Sequence, residues 1–197
     1  MNLAEVVSPE ALERYRQLTA QQIGVLYPRE YLAAGKVFVC LNDDGEIVGG
    51  YAVILDPPFR AIESIPKAER WRVLDALWDV RFPICELTGL WLAPGYRGSR
   101  QTLALWRHIS LVPRRYRRQT VVYAYSADKP DLGRLYGSLD SRVLYRGMTV
   151  QLEGMAAPGF ESVEMAFSAR TADHLAHRHR RIFTPSEPVA ARALVAG

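Results

Sequence analysis

The run Glu86-Leu-Thr-Gly-Leu-Trp-Leu-Ala-Pro-Gly-Tyr-Arg-Gly-Ser-Arg-Gln-Thr-Leu-Ala-Leu-Trp-Arg-His108 decides how this chain folds. An apolar strand passes through a short loop rich in Pro, Gly and Arg straight into a helix. The N-terminus of a helix leaves its first backbone N–H groups unpaired and carries the positive end of the helix dipole. A loop that lets a ligand approach there makes a cradle for phosphate. Arg97 and Arg100 both lie in that loop, and each is long enough to reach such a ligand.

Working outward, Val37–Leu41 and Glu46–Ile54 are β-rich runs around Asn42-Asp-Asp-Gly45, a strong hairpin turn signal. Downstream, Thr120–Ser126 reads as a buried strand. Pro130–Leu139 reads as a short helix with Leu132, Leu135, Tyr136 and Leu139 at helical spacing. Val143–Leu152 and Ser162–Ser168 supply two further strands. Near the start, Ser8 is placed as an N-cap before Pro9, Glu10 and Glu13, which suits a helix ending near Gly24. A second helix is predicted from about Pro66 to Val80, with Trp71, Leu74, Leu77 and Trp78 as its apolar stripe. Core packing is the favoured role of these tryptophans, ahead of contact with an acyl chain.

The loop resembles the cofactor-binding segment of the GNAT acyltransferase superfamily, whose pattern runs hydrophobic, x, Pro, x, x, Arg/Gln, Gly, x, Gly, x, Gly/Ala into an apolar helix. Pro94, Arg97 and Gly98 match it. Arg100 stands where the family has its second glycine, and Thr102 where it has Gly or Ala. The resemblance implies a mixed, strongly twisted α/β (α+β) sheet with helices on both faces. It also implies a pantetheine thioester, acyl-CoA or an acyl carrier protein, as co-substrate and no tightly bound cofactor. The cofactor contacts it implies are Leu92, Ala93, Arg97, Gly98, Ser99, Arg100, Gln101 and Thr102, with a backbone amide near Leu92 or Ala93 facing the oxyanion. Tyr136 falls where the family often places the tyrosine that protonates the departing thiolate; an amphipathic core tyrosine is the other reading. The insertion Leu55–Arg81 before Glu86 further resembles acyl-homoserine-lactone synthases and long-chain N-acyl amino acid synthases, whose strand begins Glu, x, Ser, Arg. Glu86 and Thr88 fit that strand, whereas Gly89 replaces the arginine. The amino-terminal Arg, Trp and Asp pattern of lactone synthases is absent, so lactone production is not inferred.

Acyl transfer to an amine needs a base, because a protonated amine is no nucleophile, and a donor for the developing oxyanion. Glu86 is the candidate base: inside an apolar strand, desolvation raises a carboxylate pKa from about 4.3 towards neutrality. A strand-end carboxylate paired with a nearby arginine is the alternative. A catalytically inactive GNAT-shaped binding or regulatory domain stands as the second functional reading, favoured by the altered glycines.

With 197 residues, 49% of them hydrophobic, the chain has enough for one core and too little for two. The expected division is an acyltransferase domain over residues 1–168 and a basic, partly ordered extension over 169–197. No apolar run approaches the roughly 20 residues of a membrane span, and the amino terminus has no secretory pattern, so a cytoplasmic protein is expected. Cys40 and Cys85 lie in strand patterns and read as reduced core thiols. His174, His177 and His179 lack carboxylate or thiol companions at ligand spacing, so no metal is expected. The net charge of +4 gathers at Arg107, Arg114, Arg115, Arg117 and Arg118. That patch suits an acidic carrier protein or a solvated face, while nucleic acid finds no reading motif here. The expected acceptor is a small-molecule amine.

Overall fold

The computed structural model describes residues 2–78, 80, 83–97, 100–136 and 140–167; the side chains of Arg100, Gln101, Arg134 and Leu135 are outside the description. The chain forms a seven-stranded sheet in the order β1-β2-β3-β4-β5-β7-β6. Its strands are β1 (Asn2–Glu5), β2 (Lys36–Leu41), β3 (Ile47–Ile54), β4 (Ile84–Leu92), β5 (Thr120–Ser126), β6 (Arg142–Met148) and β7 (Phe160–Phe167). Six helices accompany them: α1 (Pro9–Ile23), α2 (Arg29–Ala33), α3 (Arg60–Glu63), α4 (Lys67–Trp78), α5 (Arg100–Arg115) and α6 (Pro130–Tyr136). Neighbouring strands pair antiparallel except β4 and β5, which run parallel. This is the mixed α/β sheet that the sequence predicts.

The alternation of side chains along each strand sorts the core into two faces. Helix α5 lays Leu105, Trp106, Ile109 and Val112 on Phe38, Tyr51, Val53, Cys85, Leu87 and Val121. On the opposite face, α1 and α2 bring Leu12, Tyr15 and Leu32 onto Val37, Val39, Ala52, Ile54 and Trp91. Helices α3 and α4 cover Val122, Val163 and Met165 on that same face. Cys40 and Cys85 are buried free thiols whose burial pushes both up to about 12.

The helix signals at the start hold. The Ser8 hydroxyl accepts the Ala11 N–H at 3.1 Å, and Gly24 closes α1 in the left-handed conformation at φ +77°. Strand β1 and the short helices α2 and α3 were not anticipated. Strand β6 ends at Met148 rather than Leu152, and Gly137, Ser138 and Leu139 at the end of the α6 prediction lie outside the described residues, as does everything from Ser168 onward.

The predicted face of α4 is corrected. Val73 and Leu77 point into the core, while Trp71, Leu74 and Trp78 are exposed, Trp78 to 89%. Arg70 sets this rotation: its guanidinium donates to the carbonyls of Glu63 at 2.6 Å and Ile65 at 3.1 Å and to the Glu63 carboxylate at 3.0 Å. Anchoring that side to the preceding turn leaves the tryptophans about 130° round the helix from Val73 and Leu77 and so away from the sheet. Leu77→Ala is therefore expected to cost about 2–5 kcal/mol of unfolding free energy through the cavity it leaves. Trp78→Ser should stay within about 0.5 kcal/mol. Denaturant titration of the two variants distinguishes this rotation from the reverse.

Candidate active site

The parallel ladder between β4 and β5 is short. Ile84 pairs with Thr120, Cys85 with Val121 and Glu86 with Val122, and no pairing continues beyond them. From there β4 runs on to Leu92 and β5 to Ser126 with an open wedge between the two strands. The opening coincides with a bulge in β4: Ala52 pairs with Thr88 and Gly50 with Trp91, so β4 carries an extra residue. Gly89 takes φ +62°, and a Cβ there would lie 2.6 Å from the Tyr15 hydroxyl. That hydroxyl donates to the Gly89 carbonyl at 2.7 Å, and the Gly89 N–H donates to the Tyr27 hydroxyl at 3.3 Å.

Glu86 sits at the apex of the wedge, on the face covered by α2 and α3, with 1% of its surface exposed. Its Oε2 accepts the Tyr31 hydroxyl at 2.7 Å and its Oε1 the Ala61 N–H at 3.0 Å. Burial pushes the carboxyl up to about 7, offset in part by the Tyr31 hydroxyl and the backbone amides of Ala61 and Arg60. The strand-end arginine pairing gains no support: among the described residues no arginine forms an ion pair with Glu86. Arg60 lies instead over the rings of Tyr27 and Tyr31, its Cζ 5.5 and 5.6 Å from their centroids, and donates to the Glu153 carbonyl at 2.6 Å.

Tyr136 lies on the other face of the sheet. Its ring stacks on Tyr123 and Tyr125, with centroids 5.1 and 4.8 Å away, and meets Trp106 edge-on at 5.9 Å. Burial holds its phenol well above the ordinary value, with the charges of Tyr27 and Tyr125 adding to the shift.

The loop residues divide by role. The Ala93 N–H donates to the Val48 carbonyl, so the antiparallel alternation turns the Leu92 N–H away from β3 and into the wedge. The Leu92 carbonyl, on that same edge, accepts Arg97 Nε at 2.8 Å. Pro94–Tyr96 form a single 3-10 turn, and the Thr102 hydroxyl donates to the Tyr96 carbonyl at 3.0 Å, tying the turn to the first turn of α5. Arg100 and Gln101 open that helix; Gly98 and Ser99 lie outside the described residues. The arginines Arg114, Arg115, Arg117 and Arg118 stand at the far end of α5, about 24 Å from the loop for its 16 residues. Arg118 pairs there with Asp56 at 2.8 Å. Among the described residues no three His, Cys, Asp or Glu side chains are grouped to share a metal ion, and no helix is long and apolar enough to cross a membrane. His174, His177 and His179 lie outside them.

The sequence missed Tyr15, Tyr27, Tyr31 and Arg60. The signal available was local only: Tyr27-Pro-Arg-Glu-Tyr31 sets two tyrosines four positions apart, one before the Pro28 cap of α2 and one inside the helix, and their rings stack at 6.1 Å.

No family model and no curated protein matches the sequence. Solved structures do match the fold. The N-acyl amino acid synthase FeeM from uncultured soil microbes superposes with a TM-score of 0.61 at 14% identity, over 85% of this chain and 90% of its own. BjaI, a CoA-dependent acyl-homoserine lactone synthase solved with isopentyl-CoA, gives 0.59 at 14% identity, over 94% and 90%. A GNAT family acetyltransferase from Elizabethkingia anophelis with acetyl-CoA bound gives 0.51 at 13% identity, over 84% and 98%. The chain has the GNAT fold.

The pH dependence of stability tests the environment of Glu86. Its folded pKa of about 7 lies above the ordinary 4.5, so the folded state holds a proton that the unfolded state releases between those values. Stability from this group is complete below pH 4.5 and is lost as pH rises through 7, by on the order of 3 kcal/mol. His108, pulled down to about 4 by burial, works in the opposite sense and adds stability as pH rises from 4 to 6.5. The two effects offset each other in the native protein. The stability of Glu86→Gln relative to native should therefore increase steadily between pH 4.5 and 7 in parallel denaturant titrations; a constant difference would refute the burial-driven shift.

Proposed function

We propose that this protein is an N-acyltransferase that moves an acyl group from a pantetheine thioester, with acyl-CoA as the donor, to a small-molecule amine. The observation that carries this reading is the wedge between β4 and β5, with Glu86 at its apex on one face and Tyr136 on the other. A thioester arm lying in such a wedge meets an amine arriving from the Glu86 face. The Leu92 N–H then faces the carbonyl that becomes an oxyanion, Glu86 takes the proton released by the attacking nitrogen, and Tyr136, which keeps its proton at neutral pH, supplies one to the departing thiolate. The neighbours that carry acetyl-CoA or isopentyl-CoA support this choice of donor. The N-terminus of α5 with Arg97, Gly98, Ser99, Arg100, Gln101 and Thr102 is the proposed seat of the phosphates.

Carrier-protein donation loses its residue argument, because the basic run stands a helix length from the loop. Arg60 supports a narrower acceptor class. Its guanidinium lies beside Glu86 and has N–H groups beyond the one given to Glu153, which suits an amine that also bears a carboxylate. A second reading, a binding domain without catalysis, draws support from the sealed carboxylate of Glu86 and from Arg100 in the glycine position.

Incubation with a panel of acyl-CoA thioesters and paired amines, with and without a carboxylate, decides between the readings by the free thiol released. Turnover with at least one pair is expected. Glu86→Gln should then lower turnover by about 10² or more with donor affinity near native. Tyr136→Phe should lower it with little change in melting temperature. Donor binding without thiol release from any pair would favour the second reading.

A further inference from the structure

A base must be reached by the group it deprotonates, and Glu86 is closed off. Its carboxylate is fully buried, with one oxygen held by the Ala61 N–H and the other by the Tyr31 hydroxyl. Tyr31, by contrast, is partly exposed, and its 2.7 Å bond is the one side-chain contact of that carboxylate among the described residues. The local sequence explains the difference. In the single turn of α2, Leu32 is the residue driven into the core, to 1% exposure, so its neighbour Tyr31 emerges about 100° round the helix, where its ring packs on Tyr27 and under Arg60.

We propose that Tyr31 is the residue that meets the acceptor amine, passing the amine's proton to Glu86 through its own hydroxyl. The proposal rests on the reading of Glu86 as base. As the nitrogen lone pair forms the C–N bond to the thioester carbon, the carbonyl π pair moves onto oxygen to give a tetrahedral oxyanion facing the Leu92 N–H, and the ammonium-like N–H breaks as its proton moves to Tyr31 Oη. In the same step the phenolic O–H of Tyr31 breaks and its proton moves to Glu86 Oε2. Tyr31 ends neutral and Glu86 protonated. The oxyanion pair then re-forms the C=O bond of the amide as the C–S bond breaks, the sulfur leaves with the bonding pair and Tyr136 protonates it. No free tyrosinate forms, which suits a phenol that burial and the adjacent Glu86 charge hold above its ordinary value. Arg60 over the ring face steadies the electron density that builds on the oxygen during the exchange.

Tyr31→Phe tests this, because phenylalanine keeps the stack on Tyr27 and the contact with Arg60 and removes only the hydroxyl. With the amine and acyl-CoA pair that the thioester panel identifies, kcat should fall by about 10², as for Glu86→Gln, with the KM for acyl-CoA and the melting temperature near native. The double variant should be no slower than the slower single. Loss of the Tyr31 bond removes an influence that lowers the Glu86 pKa, so the acid limb of the rate profile should move to higher pH. A relay predicts that no pH restores the native rate. Recovery of the native rate at high pH, or a Tyr31→Phe rate within about threefold of native, overturns the relay while leaving Glu86 as base. Full activity of Glu86→Gln overturns the base and the relay together. Should Tyr31→Phe fail to fold, rates of the native enzyme in mixtures of light and heavy water serve instead, measured with an acceptor slow enough for proton transfer to limit turnover. A bowed dependence, from two protons in flight, is expected, and a linear one refutes the relay.

Discussion

The hydrogen bond from Tyr15 to the Gly89 carbonyl holds the shape on which the site depends. Tyr15 is fully buried, and the space it fills exists because Gly50 and Gly89 have no side chains: a Cβ at Gly50 would lie 2.8 Å from its ring and one at Gly89 2.6 Å from its oxygen. A helix capped by Ser8 thus plugs into a sheet through one aromatic ring, and the ring's hydroxyl fixes the carbonyl of a residue at positive φ. With that residue inserted, β4 no longer follows β5. A bulge that ends pairing would ordinarily leave polar backbone groups without partners. Here Tyr15 and Tyr27 supply partners for Gly89, and Arg97 takes the Leu92 carbonyl, while the Leu92 N–H is left facing the wedge.

Charge is handled in the same way on both faces. Glu86 is buried with a hydroxyl and backbone amides for company, and Glu164 on β7 is buried among hydroxyls: Tyr125 at 2.6 Å, Ser162 at 2.9 Å, Tyr123 at 3.3 Å, and Ser141. Among the described residues no arginine or lysine forms an ion pair with either. An ion pair would hold a carboxylate permanently ionised, whereas a cage of neutral donors leaves Glu86 able to exchange a proton near pH 7. Glu164 has a different use. Its hydroxyl partners Tyr123 and Tyr125 are the platform on which the Tyr136 ring stacks. The carboxylate therefore fixes the orientation of that platform from beneath.

Much of this was legible because it is written locally. The hairpin at Asn42–Gly45, the Ser8 cap and the strand, loop and helix from Glu86 to His108 each depend on residues adjacent in sequence. Glu86 could be singled out for the same reason, and the direction of its shift followed from its apolar strand, whereas Tyr136 was marked by the resemblance to the acyltransferase superfamily. The bulge could not be read, because Gly89 looks like a residue that has lost an arginine until Tyr15, 74 positions away, arrives to occupy its empty side. The seal over Glu86 is likewise long-range, closed by Tyr31 from 55 positions upstream. The face of α4 failed for a subtler reason. Trp71, Leu74 and Trp78 outweigh Val73 and Leu77 in any apolar count, yet Arg70 binds backbone carbonyls that a periodicity argument does not see.

The two faces give a physical reason for the division of labour that the site implies. A residue on the Glu86 face cannot cross the sheet where β4 and β5 are hydrogen-bonded, so any exchange between the faces must pass where they are not. The last pair, Glu86 with Val122, marks the point at which passage begins. A thioester held there would present its carbonyl carbon to one face and its sulfur to the other, so the proton leaving the nitrogen and the proton reaching the sulfur need never share a site. At neutral pH the candidate base and the candidate acid stand in opposite states because a carboxyl with a pKa of about 7 ionises well before a phenol that burial holds above its ordinary value of 10.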